Sequence, residues 1–289
     1  MPSVVIAAHN EESGVGACLD ALLSQGLHGH EIVVVANGCS DRTAEVARER
    51  GVVVVDREQP GKSAALNAGD AVAVGYPRVY LDADIIVPPG GIHSVLAVFE
   101  RTPQAAAVVP RRRVETAGRA WPVRAYYAVN VRLPAFQHGL FGRGMITVSA
   151  AGRARFAEFP ALIADDLFLD AQFTDAEKAE ASDVEVVVDA PFTTKELLRR
   201  LVRVRRGNAQ MRAAAAAGEV AADVRPSQRW AWLAATAGHP RLWPAAVVYV
   251  VITAVAGRRA RRPAEGAAAW GQDMSTRGRA GAASDGSVS

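Results

Sequence analysis

Two aspartates, Asp82 and Asp84, stand one residue apart at the end of the apolar stretch VYLDADIIVPP. Unpaired charges inside a buried strand are costly, so we expect a turn after Asp82. Two carboxylates that reach the same point suit a hard cation such as Mg²⁺, which prefers carboxylate and phosphate oxygens. The pattern therefore favours a metal-bound diphosphate. By itself, however, the pattern is common by chance and is more often a solvated turn or a helix cap.

The first hundred residues place this pair at the edge of a sheet. Helical spacing follows each of the first three predicted strands, and the strands read SVVIAAH, EIVVVAN, VVVVDR and RVYLDAD. Val-rich strands that alternate with helices predict an α/β fold, with a mostly parallel sheet and helices on both faces. Ligands bind such sheets at the carboxyl ends of the strands. The clusters HNEE, NGCSD and DAD all lie there, and PGKS opens the third helix on the same side.

The pattern loosens after residue 105. We predict a further strand at AAAVVPRRRV, a loop and strand at LFGRGMITVSAAG, and a helix within FPALIADDLFLDAQF. Another strand follows at VEVVVDAP, and then a basic helix at TTKELLRRLVRVRRGNAQM. The tail from residue 263 is rich in Gly, Ala and Ser and is predicted to be disordered.

Composition narrows the class of protein. The 289 residues carry 33 basic and 30 acidic side chains, a net charge of +3, so no nucleic-acid partner is expected. With only two cysteines, Cys18 and Cys39, a reducing cytoplasmic setting fits better than an oxidising one. The apolar run from Val4 has no basic segment before it, so we expect no signal peptide.

One stretch indicates a membrane. Residues 242–257 carry no charge and are followed by RRARR. The run is shorter than the roughly 20 residues that cross a bilayer as a straight helix. It could be a short span, a helix lying in the membrane interface, or a core helix.

Taken together, the polar motifs resemble the family 2 glycosyltransferases of the GT-A fold over roughly residues 3–206. The matching pieces occur in the family's order: AAHNEE (7–12), VVVANGCSDRTAEVA (33–47), PGKSAALNAG (60–69), LDAD (81–84), GRGM (142–145) and ADD (164–166). The resemblance implies a nucleotide-diphospho-sugar donor, Mg²⁺ or Mn²⁺ on the Asp-Ala-Asp motif, and transfer of the sugar to an acceptor hydroxyl.

The resemblance assigns Ala7, His9 and Glu12 to the nucleotide pocket. Asn37 stands where the family usually has an aspartate that contacts the base. An amide can donate as well as accept hydrogen bonds, whereas a carboxylate only accepts. The identity of the base is therefore left open.

Three further polar residues lie in the matched segments. Lys62 could meet the donor phosphates as a point charge, or be an exposed lysine. Asp41 reads as a cap of the helix that follows rather than a ligand contact. Asn67 reads as a packing or capping residue.

The reaction itself requires a metal and a base. By resemblance, Asp82 lies near the donor ribose and on the metal, Asp84 is on the metal, and Asp166 is the base that takes the acceptor proton. The adjacent Asp165 could raise a pKa by repulsion. The alternative is that both acids only open a helix over residues 166–173.

Weaker assignments concern the acceptor and the diphosphate. In the family the GRGM region borders the acceptor, which points to Arg143 and Gly144. Arg205 or Arg206 could contact the diphosphate, unless this basic helix is only solvated or lipid-facing.

These observations predict a hexosyltransferase-type glycosyltransferase (EC 2.4) that inverts the sugar and acts in cell-envelope or lipid-linked glycan synthesis, at the inner face of the membrane. We expect a GT-A domain over 1–206, a helical, membrane-associated segment over 207–262, and a tail over 263–289. The alternatives are a sugar-nucleotide nucleotidyltransferase and a non-catalytic nucleotide-sugar-binding protein.

Overall fold

The protein is described here by a computed structural model of residues 1–222, 224 and 230–262. The tail predicted from residue 263 lies outside the described residues.

A seven-stranded sheet is the centre of this structure. Its strand order is β3-β2-β1-β4-β6-β5-β7. The strands are β1 (Ser3–Ala8), β2 (Ile32–Asn37), β3 (Val53–Arg57), β4 (Arg78–Asp82), β5 (Ala107–Glu115), β6 (Met145–Val148) and β7 (Lys178–Asp189).

The first four strands pair in parallel, as the alternating pattern predicts. Strand β6 then runs antiparallel to both β4 and β5, while β5 and β7 are parallel. The sheet is therefore mostly parallel, with one reversed strand near its middle. Because β6 adjoins β4, the loop that precedes β6 lies beside the aspartates that end β4.

Helices cover both faces of the sheet, which confirms the predicted α/β architecture. They are α1 (Val15–Leu23), α2 (Thr43–Arg48), α3 (Lys62–Val72), α4 (Gly91–Arg101), α5 (Trp121–Asn130), α6 (Pro134–His138), α7 (Ala150–Arg153), α8 (Asp165–Asp170), α9 (Thr194–Ala216), α10 (Ala231–Ala237) and α11 (Trp243–Ala260). On one face, α1, α2 and α4 pack on Val4 and Ile6. On the other, α3 and α8 pack on Val5 and Tyr80.

The start of helix α3 belongs to the edge where the parallel strands end. Within the helix, Gly69 lies directly against Val5 of β1, where any Cβ atom would collide with the valine side chain. The missing side chain lets α3 pack closely on the sheet. Lys62, the first residue of α3, is therefore held at a set height above the strand ends.

The C-terminal helices pack together at one side. Helix α11 contacts α5 and α9, with Ile252 and Ala256 buried in that contact and Tyr249 stacked on Tyr126 at 5.1 Å between ring centroids. Helix α9 runs without a break through residue 206. The domain boundary predicted there coincides with no interruption of secondary structure, and the division into domains stays a prediction.

Candidate active site

The two aspartates of the sequence motif stand at a strand end, as predicted. Asp82 is the last residue of β4 and Asp84 lies in the turn that follows, where the Ile85 amide donates to the Asp82 carbonyl at 3.2 Å. The Asp82 side chain is 42% exposed and Asp84 is also exposed. Solvent reaches both carboxylates, which removes most of the cost of placing charge beside a buried strand.

Lys62 joins this pair to a second acidic pair. Its Nζ lies 2.9 Å from Asp82 Oδ1 and 2.9 Å from Asp165 Oδ2. Asp165 is buried at the start of α8, and Asp166 follows it. One ammonium group thus connects the end of β4 to the start of α8, and the reading of Lys62 as a merely exposed lysine is wrong.

Electrostatics at Lys62 follow from these neighbours. Burial opposes the charge, but Asp165, Asp82 and Asp166 together raise the pKa of Lys62 well above its ordinary range. The ammonium is therefore permanently charged. It sits among carboxylates that outnumber it, so a further cation would be stabilised at this edge of the sheet.

Asp166 is a strongly perturbed carboxylate. Burial, followed by the charge of Asp165, raises its pKa to about 7, against the opposing effect of Lys62. The Gly142 amide donates to its Oδ2 at 3.1 Å. One oxygen is thereby held, while the group titrates near neutral pH, which is the property a general base needs.

The GRGM loop lies between the two acidic pairs. Gly144 has φ +71°, and its carbonyl accepts from the Asp82 amide at 2.8 Å. Arg143, by contrast, is 3% exposed and pairs with Glu180 at 2.6 Å and with the Pro110 carbonyl at 2.8 Å. Arg143 therefore holds the loop in place and presents almost no surface to an acceptor, so its predicted contact with the acceptor is wrong.

Ala7 and His9, two of the residues predicted for the nucleotide pocket, lie at the end of β1. Ala7 lies beside Asp82 in the sheet register, and His9 follows β1. His9 Nδ1 donates to the Asn37 carbonyl at 2.6 Å. The Asn37 side chain is fully buried, and its amide has no hydrogen-bond partner among the described residues. As placed, Asn37 offers no surface to a base, and its predicted role stays a prediction.

Glu12 and Asp41 tie two strand-end loops together. The Glu12 carboxylate accepts from the Arg42 amide at 3.0 Å, and the Glu12 amide donates to Asp41 at 3.1 Å. Asp41 also accepts from the Thr43 amide at 3.1 Å, which opens α2. Asp41 therefore bonds the first amide of α2, as a cap would, although Arg42 is the residue at the N-cap position. Glu12 thereby links the loop after β1 to the loop before α2, and its predicted place in the nucleotide pocket stays a prediction.

Asn67 serves packing, as predicted. Its side-chain amide exchanges two hydrogen bonds with the Phe159 backbone, at 3.0 and 2.8 Å. These bonds attach the segment before α8 to helix α3. The position of Asp166 relative to Lys62 depends on this attachment.

Arg205 and Arg206, the residues suggested for contact with a diphosphate, lie at the contact between α9 and α11. Arg206 donates to backbone carbonyls at the end of α11, including Arg262 at 3.0 Å and Ala260 at 3.4 Å. Arg205 lies in the same helix contact, beside Gly257. Cations are favourable at a helix C-terminus, so this pair joins α9 to α11 instead.

Asp82 and Asp84 can be compared with the ligands that Mg²⁺ or Mn²⁺ requires. No group of three or more His, Cys, Asp or Glu side chains in the described ranges could hold a metal ion. Mg²⁺ and Mn²⁺ are often bound by one or two carboxylates together with substrate phosphates and water. Asp82 and Asp84 lie one residue apart at the end of β4, and solvent reaches both side chains. Asp82 and Asp84 therefore fit a cation shared with a diphosphate.

Two features of this site were not predicted from the sequence motifs. The contact between Lys62 and Asp165 joins residues about a hundred positions apart, and only the adjacency of Asp165 to Asp166 signalled it. The second is Arg112 of β5, which donates to the Gly142 carbonyl at 3.1 Å. The run of arginines at 111–113 was visible, but not which one faces the loop.

Solved structures share this fold. A mannosyltransferase from Pyrobaculum calidifontis, solved with GDP-Man and Mn²⁺, aligns with a TM-score of 0.60 at 20% identity, covering 89% of this chain and 75% of its own. Glucosyl-3-phosphoglycerate synthase from Mycobacterium tuberculosis aligns at 0.54 with 20% identity, covering 73% and 78%. These likenesses confirm the predicted GT-A fold.

Curated relatives match a shorter part of the chain. An uncharacterised glycosyltransferase of Mycobacterium tuberculosis is 32% identical over 120 residues, which are 42% of this chain and 52% of the relative. An undecaprenyl-phosphate 4-deoxy-4-formamido-L-arabinose transferase of Pseudomonas savastanoi is 32% identical over 130 residues, 42% of this chain and 39% of the relative. The chain thus spans about half the length, or less, of these relatives.

The family model named Glycosyl transferase family 2 matches residues 3–154. This region contains β1 to β6 and both aspartates of the motif that ends β4. It exceeds half of the 289 residues, and the chain therefore belongs to glycosyl transferase family 2.

Proposed function

We propose that this protein is a hexosyltransferase-type glycosyltransferase (EC 2.4) that moves a sugar from a nucleotide-diphospho-sugar to an acceptor hydroxyl. One observation carries the proposal: Lys62 links Asp82, at the expected diphosphate end, to Asp165 beside Asp166. Both halves of a displacement reaction, departure and attack, are then served by one cleft. Family membership and the donor in the mannosyltransferase structure support the same reading.

The leaving side of the reaction uses the strand ends. Asp82 and Asp84 would hold Mg²⁺ or Mn²⁺, and the ion would offset the negative charge on the departing nucleotide diphosphate. Mn²⁺ in the mannosyltransferase structure supports this choice of metal. Lys62 adds a fixed positive charge beside Asp82, and Ala7, His9 and Glu12 form the wall toward the nucleoside.

The attacking side uses Asp166. Its Oδ2 accepts from the Gly142 amide, which leaves Oδ1 to take the acceptor proton as the hydroxyl oxygen attacks the anomeric carbon. A hydroxyl is a poor nucleophile, so this proton transfer accounts for a large part of the rate. With one base and no second carboxylate nucleophile assigned, direct displacement inverts the anomeric centre.

Two other functions compete with this one. A sugar-nucleotide nucleotidyltransferase would place a Gly-rich phosphate loop after β1, where this chain has His9, Asn10, Glu11 and Glu12. A non-catalytic binding protein would need no titratable base, whereas the pKa of Asp166 is raised to about 7. Both observations favour the transferase.

A donor screen tests the proposal. The purified protein is mixed with UDP-, GDP- and dTDP-sugars, with and without Mn²⁺, and thermal shift and donor hydrolysis are recorded. We expect binding that requires metal and is lost in Asp84→Ala. Asp166→Asn should keep the donor affinity and lose about 10²- to 10⁴-fold in turnover.

The exposed Asp183 supplies a matched control, since Asp183→Asn makes the same change on β7, at the edge of the sheet. Unchanged turnover in Asp166→Asn would disprove the base assignment. Donor binding that ignores metal and Asp84 would disprove the cation site. Release of pyrophosphate from a sugar phosphate and a nucleoside triphosphate would instead identify a nucleotidyltransferase.

We also propose that the enzyme works at the inner surface of the cell membrane on an acceptor of the cell envelope. Among the described residues, one helical stretch is long and apolar enough to cross a membrane. It is Pro240–Ala260, which contains α11, and 17% of its 18-residue apolar window is buried. Because α11 packs one face on α5 and α9, we infer that it lies on the membrane rather than across it. The undecaprenyl-phosphate relatives support a lipid-linked acceptor.

A further inference from the structure

A positively charged side chain without a carboxylate partner lies next to the proposed base. Arg112 is half-buried on β5, donates to the Gly142 carbonyl at 3.1 Å, and rests on the Phe136 ring with 4.9 Å from its guanidinium carbon to the ring centroid. It forms no ion pair within the part of the chain that the structure describes. Arginines are almost never fully buried unless they are paired, so a half-buried guanidinium without a carboxylate partner is a candidate site for an anion.

Two arginines near Arg112 are already paired with carboxylates. On the same strand, Arg113 pairs with Glu115 at 2.8 Å and Glu185 at 3.0 Å. Arg143, in the loop, pairs with Glu180. Strand alternation turns Arg112 to the opposite side from Arg111 and Arg113. Of these side chains, Arg112 alone turns toward the cleft with its charge uncompensated by a carboxylate.

The electrostatic environment agrees with this geometry. Burial, followed by the charges of Arg143 and Arg200, lowers the pKa of Arg112 to about 10. The guanidinium is still protonated at neutral pH, but positive charge accumulates around it.

The distance to the base is short enough for one small molecule. Gly142 donates its amide to Asp166 and accepts from Arg112 with its carbonyl. Through these two hydrogen bonds and the glycine backbone, Arg112 Nη1 and Asp166 Oδ2 are at most about 10 Å apart. A hydroxyl at Asp166 and an anion at Arg112 can therefore belong to the same acceptor.

We propose that Arg112 binds a phosphate group carried by the acceptor and so places the reacting hydroxyl at Asp166. An arginine fork matches the oxygens of a phosphate bidentately, which favours phosphate over a neutral sugar. This inference rests on the proposed glycosyltransferase function and names its acceptor class. Arg112 acts as a binding and positioning residue and takes no part in the proton transfer.

Binding of simple phosphates tests the proposal. The donor site of the full chain is first filled with Mn²⁺ and whichever of UDP, GDP or dTDP gives the largest thermal shift. Hexyl phosphate, sn-glycerol 3-phosphate and inorganic phosphate are then titrated by calorimetry, with hexanol and glycerol as neutral counterparts. We expect at least one phosphate ester to bind tenfold or more tightly than its alcohol.

Three variants assign that binding to the arginine. Arg112→Gln should weaken phosphate binding at least tenfold while nucleotide affinity stays within twofold, and Arg112→Lys should fall between it and the wild type. The exposed Arg111 gives the matched control, because Arg111→Gln removes the same charge from the other side of the strand. The melting temperature of each variant shows that it is folded.

Comparing the two phosphate esters also distinguishes two possible kinds of acceptor. Binding of hexyl phosphate alone supports a lipid phosphate, whereas equal binding of glycerol 3-phosphate supports a small soluble phosphate ester. Alcohols that bind as well as their phosphates, or an unchanged affinity in Arg112→Gln, overturn the proposal. So does a loss of nucleotide affinity in Arg112→Gln, because the arginine would then serve the donor. If the wild type binds no nucleotide with Mn²⁺, the proposed function itself fails.

Discussion

Asp166 shows how a single carboxylate acquires the properties of a base from its surroundings. Burial and the neighbouring Asp165 disfavour its charge, while Lys62 and the Gly142 amide favour it. The balance raises its pKa to about 7. A proton acceptor with a pKa near the working pH combines a large charged fraction with a strong tendency to take the proton.

A pH profile follows from this pKa. Protonation removes the base, so we expect kcat/KM to fall about tenfold per pH unit below pH 7 and to level off above it. The measurement is initial rate at saturating metal between pH 5 and 9. A flat profile across pH 7 in the wild type would show that Asp166 does not act as the base.

Stability should change in the opposite direction. Because the pKa of Asp166 in the folded state lies above its usual value, the folded protein holds this proton more tightly than the unfolded chain does. The carboxylate therefore costs stability as the pH rises from about 4 to 7. Asp166→Asn should melt no lower than the wild type at pH 8, while Asp183→Asn should leave the melting temperature unchanged. A clearly lower melting temperature of Asp166→Asn at pH 8 would contradict this reasoning.

At the scale of elements, the junction of β4 with the loop before β6 holds the site together. Gly144 lies there with φ +71°, and a Cβ atom at this position would stand 2.5 Å from the Ile85 side chain. The Gly144 carbonyl also accepts from the Asp82 amide. The loop can approach the aspartates only because this residue has no side chain.

Gly144→Ala should therefore cost more than backbone strain alone. Gly118 has a similar φ of +68° but nothing within 4 Å of its Cβ position, which makes Gly118→Ala the matched control. We expect about 1 kcal/mol of destabilisation for Gly118→Ala and a further 1–3 kcal/mol or so for Gly144→Ala. Urea unfolding gives both values, and equal losses would show that the contact with Ile85 is unimportant.

At the scale of the whole molecule, the protein has one strongly apolar side. Helices α10 and α11 enclose an open groove of about 590 Å³ lined by apolar side chains. Trp243, Val247 and Val251 follow one another at helical spacing on α11 and are 59%, 65% and 55% exposed. The arginines at the end of α11 could meet anionic lipid headgroups.

Polar substitution of that stripe should release the protein from membranes. The double variant Val247→Glu with Val251→Glu is expected to lose at least tenfold in binding to phosphatidylglycerol vesicles, because buried charge is costly in the interface. Val74→Glu is the control, as Val74 is 88% exposed but lies outside the C-terminal helices. Sedimentation with vesicles measures the effect. If the double variant binds as well as the wild type, α11 is not the element that binds the membrane.

Much of this architecture could be predicted from local patterns. The Val-rich runs and the turn signals act within one element. They were therefore enough to predict the first four strands, their helices, and the position of Asp82 and Asp84 at a strand end. The hydrogen bond of Asp41 to the Thr43 amide spans two residues, so it too was predictable. The packing role of Asn67 followed from its residue type, but its partner Phe159, 92 positions away, did not.

The remaining features depend on which distant elements touch. Three of them result from packing between elements far apart in the chain. These are the pairing of Lys62 with Asp165, the burial of Asn37, and the attachment of Arg206 to the end of α11. The same holds for the choice of Arg112 over Arg111 as the side chain that faces the cleft. Hydrophobic period and residue propensity act over a few positions, whereas a side chain finds its partner only after the sheet order and helix packing have brought the two together.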